Sequence, residues 1–256
     1  MSNLIVDIKG KTYPSRTPGQ NHVALEPVNF TISESQFTCL VGPSGCGKTT
    51  LLNIVGGLEK DIEGKLTFDD KPLHEAHLGY MFQNPRLMPW LSVRENVEIV
   101  LENEKLEPGL AAEILEIMGL GDVMEAYPNR LSGGMQRRVA LARAFVIKPS
   151  LLLMDEPFIS LDRPSAEKLR LLLLEIWNAR PTTVLFVTHD LDEALLLADR
   201  ILFLSPSPGR IVLDFPVPLS RPRAGLDPST LHELRRELLA THPDLLAGLA
   251  AAKSPD

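Results

Sequence analysis

Eight consecutive residues, Gly42-Pro43-Ser44-Gly45-Cys46-Gly47-Lys48-Thr49, combine three glycines with a lysine and two hydroxyls, and Thr50 adds a third. Glycines let a backbone curl so that several N–H groups face one anion, and a helix starting there adds partial positive charge. The spacing G-x-x-x-x-G-K-S/T, between a short apolar strand and a helix, is that of a phosphate-binding loop. Lys48 is placed to reach the β- and γ-phosphates of a nucleotide, and the Thr49 hydroxyl to coordinate Mg²⁺. A second apolar run, Leu151-Leu152-Leu153-Met154, ends in Asp155-Glu156-Pro157. Buried charges need partners or a metal. In a nucleotide site Asp155 would hold Mg²⁺, directly or through water, and Glu156 would orient and deprotonate the attacking water.

Thr188-His189-Asp190 follows a third apolar run. Ligands of open α/β sheets bind at the C-terminal edge of parallel strands, so His189 is read as a γ-phosphate contact. His22, His74, His77, His232 and His242 have no such context and are read as structural or surface residues. Leu131-Ser132-Gly133-Gly134-Met135-Gln136 opens a helix, with Ser132 as its N-cap. Its glycines expose backbone donors at the positive helix end, a second phosphate-binding geometry in one chain.

The elements that must hold these residues follow from the hydrophobic pattern. Residues 4–8 and 28–32 alternate as half-buried strands do, and a loop of turn formers over 13–19 lies between them. Residues 37–41, 151–154, 183–187 and 201–204 read as buried strands. Helices are expected over 49–55, 111–118 (with Gly119 as C-cap), 133–147, 166–177, 191–198 and 230–239. Residues 62–82 read as short strands turning at Asp69-Asp70, and 85–128 as mainly helical; from 205 to 228 prolines recur. Strand–helix alternation implies a parallel sheet covered on both faces.

The 256 residues suit one large α/β domain with small appended parts. A net charge of -7 argues against a nucleic-acid partner, which would need a basic face. The two cysteines, Cys39 and Cys46, read as free thiols of a reducing compartment, since Cys46 lies inside the glycine-rich loop. No signal peptide is expected at the N-terminus. The most apolar candidate span, 194–204, is interrupted by Asp199 and Arg200 and is too short to cross a bilayer.

Taken in order, these motifs resemble the ABC ATPase family over nearly the whole chain. The resemblance implies a P-loop NTPase (RecA-like) α/β core with an antiparallel β subdomain, over about residues 1–84 and 149–227. It also implies an inserted α-helical subdomain over 85–148 and a C-terminal helical tail over 228–256. Two ATPs would be sandwiched between two such subunits, a homodimer or a pair of paralogues. Lys48, Thr49, Asp155, Glu156, Gln83 and His189 would act on one ATP, while Ser132, Gly133 and Gly134 would complete the site of the other subunit. In Ser160-Leu161-Asp162, Asp162 matches the loop that crosses the dimer interface. Tyr13 aligns with an aromatic that stacks on adenine; the alternative is a tyrosine packed on its own loop. Gln83, in Tyr80-Met81-Phe82-Gln83, matches the lid glutamine that links Mg²⁺ and the attacking water to a transport partner. Ile159 stands where a small residue is usual, and Glu34-Ser35-Gln36-Phe37 replaces a more usual Gly-Glu pair.

Within the family, residues 84–97, Ser207-Pro208-Gly209-Arg210-Ile211 and Arg221-Pro222-Arg223 are similar to ATPases of nitrate, taurine and aliphatic-sulfonate importers. That resemblance implies transmembrane permease subunits as partners, an extracytoplasmic solute-binding protein acting through them, and a peripheral position on the cytoplasmic face of the cell membrane. Leu87, Met88, Trp90 and Leu91 form either an apolar docking site for a permease or an internal packing cluster. Rival readings are an ATPase of lipid or lipoprotein traffic, a soluble ABC ATPase acting on DNA or ribosomes, and an interaction protein with a degenerate site.

Overall fold

The computed structural model describes residues 2–14, 21–101, 109–223 and 225–249. Residues 15–19 of the expected turn-rich loop and 250–256 of the expected tail lie outside these. The strands of the first half are β1 (Leu4–Ile8), β2 (Lys11–Tyr13), β3 (His22–Leu25), β4 (Val28–Ile32), β5 (Phe37–Val41), β6 (Gly64–Phe68), β7 (Lys71–Pro72) and β8 (Leu78–Met81). Those of the second half are β9 (Leu151–Asp155), β10 (Thr183–Thr188), β11 (Arg200–Leu204) and β12 (Ile211–Pro216). The helices are α1 (Lys48–Val55), α2 (Val93–Glu98), α3 (Leu110–Ile117), α4 (Gly133–Val146), α5 (Arg163–Ala179), α6 (Leu191–Leu197) and α7 (Pro228–Thr241). They fall into two compact units, Met1–Ala76 with Thr183–Asp256, and His77–Thr182.

In the first unit, β4-β1-β6-β7 form an antiparallel sheet. Leu4, Val6 and Ile8 of β1 and Val28, Phe30 and Ile32 of β4 are buried, while the residues between them face outward. A one-residue slip would turn that apolar set to solvent, which fixes the register. A second sheet of this unit is built on β5, which pairs in parallel with β10 and β11. Every residue of β5 and β10 is buried, as befits parallel strands covered on both faces. α1 packs against β10 and α6 against β5. Before β5, Ser35 takes a left-handed conformation (φ 56°). Its amide donates to Thr183 Oγ1 at 3.1 Å, so the turn that lacks the usual Gly-Glu pair is tied to the neighbouring strand.

The second unit pairs β8 and β9 in parallel and packs α4 against β8, α2, α3 and α5. α2 starts with a capping box: Ser92 Oγ accepts from the Glu95 amide, and Glu95 Oε2 accepts from the Ser92 amide.

Several boundaries differ from the sequence expectation. The stretch 85–128 holds only the short α2 and α3 as α-helices among its described residues, because Pro85 and Pro89 interrupt the start. The cap of α3 is Met118, with Gly119 (φ 64°) one residue beyond it. α5 begins at Arg163 because Asp162 caps it, accepting from the Ser165 amide at 3.2 Å. Strands β2, β3 and β12 had no counterpart in the sequence reading.

Candidate functional site

In the first unit, β5 ends at Val41, the chain turns through residues 42–47, and α1 begins at Lys48. Gly45 (φ 77°) and Gly47 (φ 97°) are left-handed, and a Cβ on Gly47 would meet Leu25 Cδ2 at 2.6 Å. α1 has no side-chain cap and no acid in its first turn, so no capping side chain competes for its leading amides. The Lys48 side chain, 5% exposed, folds back over the loop, donating to the Gly42 carbonyl at 2.8 Å and that of Pro43 at 2.9 Å. Thr49 is exposed; Thr50 is half-buried. Cys46 is fully buried, and burial pushes its thiol pKa up.

Tyr13, on β2, is half-buried and donates its hydroxyl to Glu59 Oε2 at 2.9 Å. Thr50, in the first turn of α1, is among the side chains that bear on the Tyr13 hydroxyl. Lys11 grips the other oxygen of Glu59 at 2.9 Å and the Asp61 carbonyl at 2.7 Å. Burial and the Glu59 carboxylate push the Tyr13 pKa up, while the hydrogen bonds from Lys11 and Tyr13 hold that of Glu59 down.

The β5–β10 register pairs Thr188 with Val41, so His189 follows on the same sheet edge as Gly42. Its neighbours are pinned. Thr188 Oγ1 donates to Glu193 at 2.8 Å and accepts from the Asp190 amide at 3.0 Å, and Asp190 caps α6 through the amides of Asp192 and Glu193. The His189 ring is left exposed between them.

The phosphate loop is backed by a segment whose motif the sequence reading used only for resemblance. Leu25 bridges Gly209, the Gly209 amide donates to the Ala24 carbonyl at 3.0 Å, and the Glu26 amide to the Gly209 carbonyl at 2.9 Å. A Cβ on Gly209 would lie 2.0 Å from the Cys46 carbonyl oxygen. Backbone meets backbone there, and only glycine fits. Gly209→Ala is expected to cost about 1–3 kcal/mol of stability by overpacking and to raise the KM for nucleotide. Thermal melting and steady-state kinetics check this; wild-type values in both would show that the loop yields freely.

In the second unit, Met81 pairs with Met154 across β8 and β9, so Gln83 and the acids emerge side by side at one strand edge. Asp155 is 4% exposed, Glu156 is half-buried, and Gln83 is exposed. Glu156 has φ 42° and Ser160 φ 63°; non-glycine residues held there carry strain that the surroundings must sustain. Tyr80 and Phe82 stack with centroids 4.1 Å apart, and Arg86 lies 4.0 Å over Phe82. Burial and the charge of Asp155 push the Tyr80 pKa well up.

Ser132 caps α4, accepting from the Met135 amide at 3.3 Å. A Cβ on Gly133 would meet nothing within 4 Å, and one on Gly134 only Ser165 at 4.0 Å, so this helix start is open above its glycines. Among the described residues no group of three or more His, Cys, Asp and Glu side chains could hold a metal ion. The sequence reading missed Arg137, whose buried guanidinium ties α4 to the loops after β8 and β9. The signal was there: an arginine on the helix face that also carries Leu141 and Ala144.

Parallel strands, a glycine loop and the helix starting at its lysine define a P-loop α/β protein. A family model described as ABC transporter matches residues 25–159. The nitrate import ATP-binding protein NrtD of Synechococcus elongatus is 39% identical over 248 residues, 92% of this chain and 90% of its own. The aliphatic sulfonates import ATP-binding protein SsuB of Bacillus cereus is 40% identical over 232 residues, 89% of this chain and 91% of its own. The bicarbonate transport ATP-binding protein CmpD of Synechocystis is 40% identical over 251 residues, 92% and 87%. A solved dimeric, post-hydrolysis state of the ATP-binding cassette MJ0796 bound to ADP and Pi matches with TM-score 0.71 at 32% identity, covering 84% of this chain and 99% of that one. The chain belongs to the ABC transporter family.

Proposed function

We propose that this chain is the ATP-hydrolysing subunit of an importer for a small anion such as nitrate, taurine or an alkanesulfonate. One observation carries the reading: a single chain holds both the phosphate loop at residues 42–49 and a glycine turn, Ser132, Gly133 and Gly134, open at the start of a helix. Two chains then complete two ATP sites, each with a phosphate loop from one subunit and a glycine turn and Asp162 from the other. The dimeric state named for the MJ0796 cassette supports that arrangement. The choice of anion rests on the nitrate, sulfonate and bicarbonate systems named for the relatives.

In this reading Lys48 exchanges the Gly42 and Pro43 carbonyls for phosphate oxygens, and the loop amides donate to phosphate oxygens beside it. Tyr13 stacks on the adenine. Glu156 orients the attacking water and takes its proton on the carboxylate, while His189 contacts the γ-phosphate. The Thr49 hydroxyl, the Asp155 carboxylate and the Gln83 amide are hard oxygen donors of the kind Mg²⁺ takes beside substrate phosphates, and a metal so bound needs no dedicated cluster. Mg²⁺ held there would neutralise charge developing on the phosphates. The core is assigned to residues 1–84 and 149–227, the helical subdomain to 85–148 and the tail to 228–256.

No helix among the described residues is long and apolar enough to cross a membrane. Attachment to permease subunits at the cytoplasmic face, and through them to a solute-binding protein, is assigned to the loop before α2. There Asn96, fully buried, accepts from the Met88 amide and donates to the carbonyls of Met88, Leu91 and Ser92. That turn holds Leu87, Met88 and Leu91 half-buried and leaves Trp90 70% exposed. An exposed tryptophan on a rigid turn is a typical interface anchor, contributing about 2 kcal/mol or more. The wild-type chain is expected to co-fractionate with washed membranes, and Trp90→Ala to shift to the soluble fraction with ATP affinity unchanged. Unchanged co-fractionation of the variant would remove Trp90 from the interface; a wild-type chain never found with membranes would contradict the reading.

A further inference from the structure

We infer that Arg137 is a positioning residue for hydrolysis, locking the Gln83 backbone and the turn after Glu156 to helix α4, which the Ser132-Gly133-Gly134 turn opens. The inference rests on the proposed roles of Gln83 and Glu156, but its observation is separate. Arg137 sits in the second turn of α4, and only 7% of it reaches solvent. Its Nη1 donates to the Gln83 carbonyl at 3.0 Å and to the Pro157 carbonyl at 2.9 Å, and its Nη2 to the Ile159 carbonyl at 2.5 Å. All three acceptors are main-chain carbonyls, so the guanidinium grips backbone rather than another side chain.

The gripped segments are the ones that need holding. Pro157 and Ile159 belong to the turn closed by the Ile159 amide on the Glu156 carbonyl at 3.2 Å. Glu156 (φ 42°) and Ser160 (φ 63°) flank it in left-handed conformations. Such residues persist only where the surroundings over-determine them, and Arg137 supplies two of the restraints. The third contact reaches across to the strand edge bearing Gln83. One planar fork therefore sets the position of the proposed base, of the lid glutamine and of the glycine turn relative to each other. A lysine offers one point charge on a flexible stem and cannot span three acceptors in two segments.

A base displaced by about 1 Å can lose up to roughly 10²-fold in rate. Arg137→Lys and Arg137→Met are made in the full chain, with Glu156→Gln alongside, and kcat, the KM for ATP and the melting temperature are measured. The expected result for Arg137→Lys is a fall in kcat of about tenfold or more. Its KM for ATP should stay within about twofold, because the phosphate loop that sets binding is built from other residues. Arg137→Met should lose at least as much kcat as the lysine variant; if it does not fold, Arg137→Lys decides alone. Wild-type kcat in a folded Arg137→Lys, or kcat and KM worsening together with lost melting stability, would overturn the positioning role. If Glu156→Gln is inactive while Arg137→Lys is normal, only this inference fails. If Glu156→Gln hydrolyses ATP normally, the reading beneath it fails instead.

Discussion

Glu156→Gln is expected to lower kcat for ATP hydrolysis by about 10²–10⁴-fold, the range attributed to a general base, while ATP still binds. The substitution keeps the shape of the side chain and its place after β9, and removes only the capacity to accept a proton. The buried Asp155 before it and the phosphate loop are untouched. Binding without turnover should hold two chains together around ATP, so the variant should migrate as a dimer with ATP and as a monomer without it. Phosphate release and size-exclusion chromatography check both halves. Wild-type turnover in the variant would assign the proton to another group.

Lys48→Ala should produce the second large effect, and on the opposite parameter. The ammonium is poised over the loop on two carbonyls, and charge-assisted hydrogen bonds contribute roughly 1.5–3 kcal/mol each. ATP affinity is therefore expected to fall about 10–100-fold, with a further fall in kcat because the lysine also meets charge that grows in the transition state. Titration with a fluorescent ATP analogue separates the two. An affinity within twofold of wild type, about 0.4 kcal/mol, would place the phosphates elsewhere.

Much of this was legible in the residues, and the exceptions have physical reasons. β1, β4 and β5 fall at the residues the hydrophobic pattern marks, because the alternating burial of β1 and β4 and the mostly apolar run of β5 are each distinctive strand signals. β12 was hidden by its setting. Its Ile211, Val212 and Leu213 sit in a proline-rich stretch, and the strand exists by pairing with β11, where Arg200 and Asp214 meet at 2.6 Å. β2 and β3 are too short for a periodic signal and form only against each other.

The side-chain details were less accessible. The motif located Lys48, Asp155, Glu156 and Ser132 in the sequence, but not the left-handed backbone of Glu156 or the clasp of Arg137, which depend on long-range contacts. For Trp90 two environments stood open; the buried hydrogen bonds of Asn96, eight to four residues from its partners, select the exposed one. Gly209 stood out in the sequence only as part of a motif carrying the family resemblance, and only the approach of the Cys46 carbonyl gives its lack of a side chain a purpose.

The central claim is that this ABC ATPase drives an importer. The most direct measurement is affinity purification of the chain from its native membranes, with mass spectrometry of what co-purifies and ATP hydrolysis measured on the same material. The account predicts a multi-helix permease, an extracytoplasmic solute-binding protein whose ligand is a small anion, and ATPase activity. Recovery of ribosomes, DNA-repair factors or lipid-transfer proteins with no permease would contradict it.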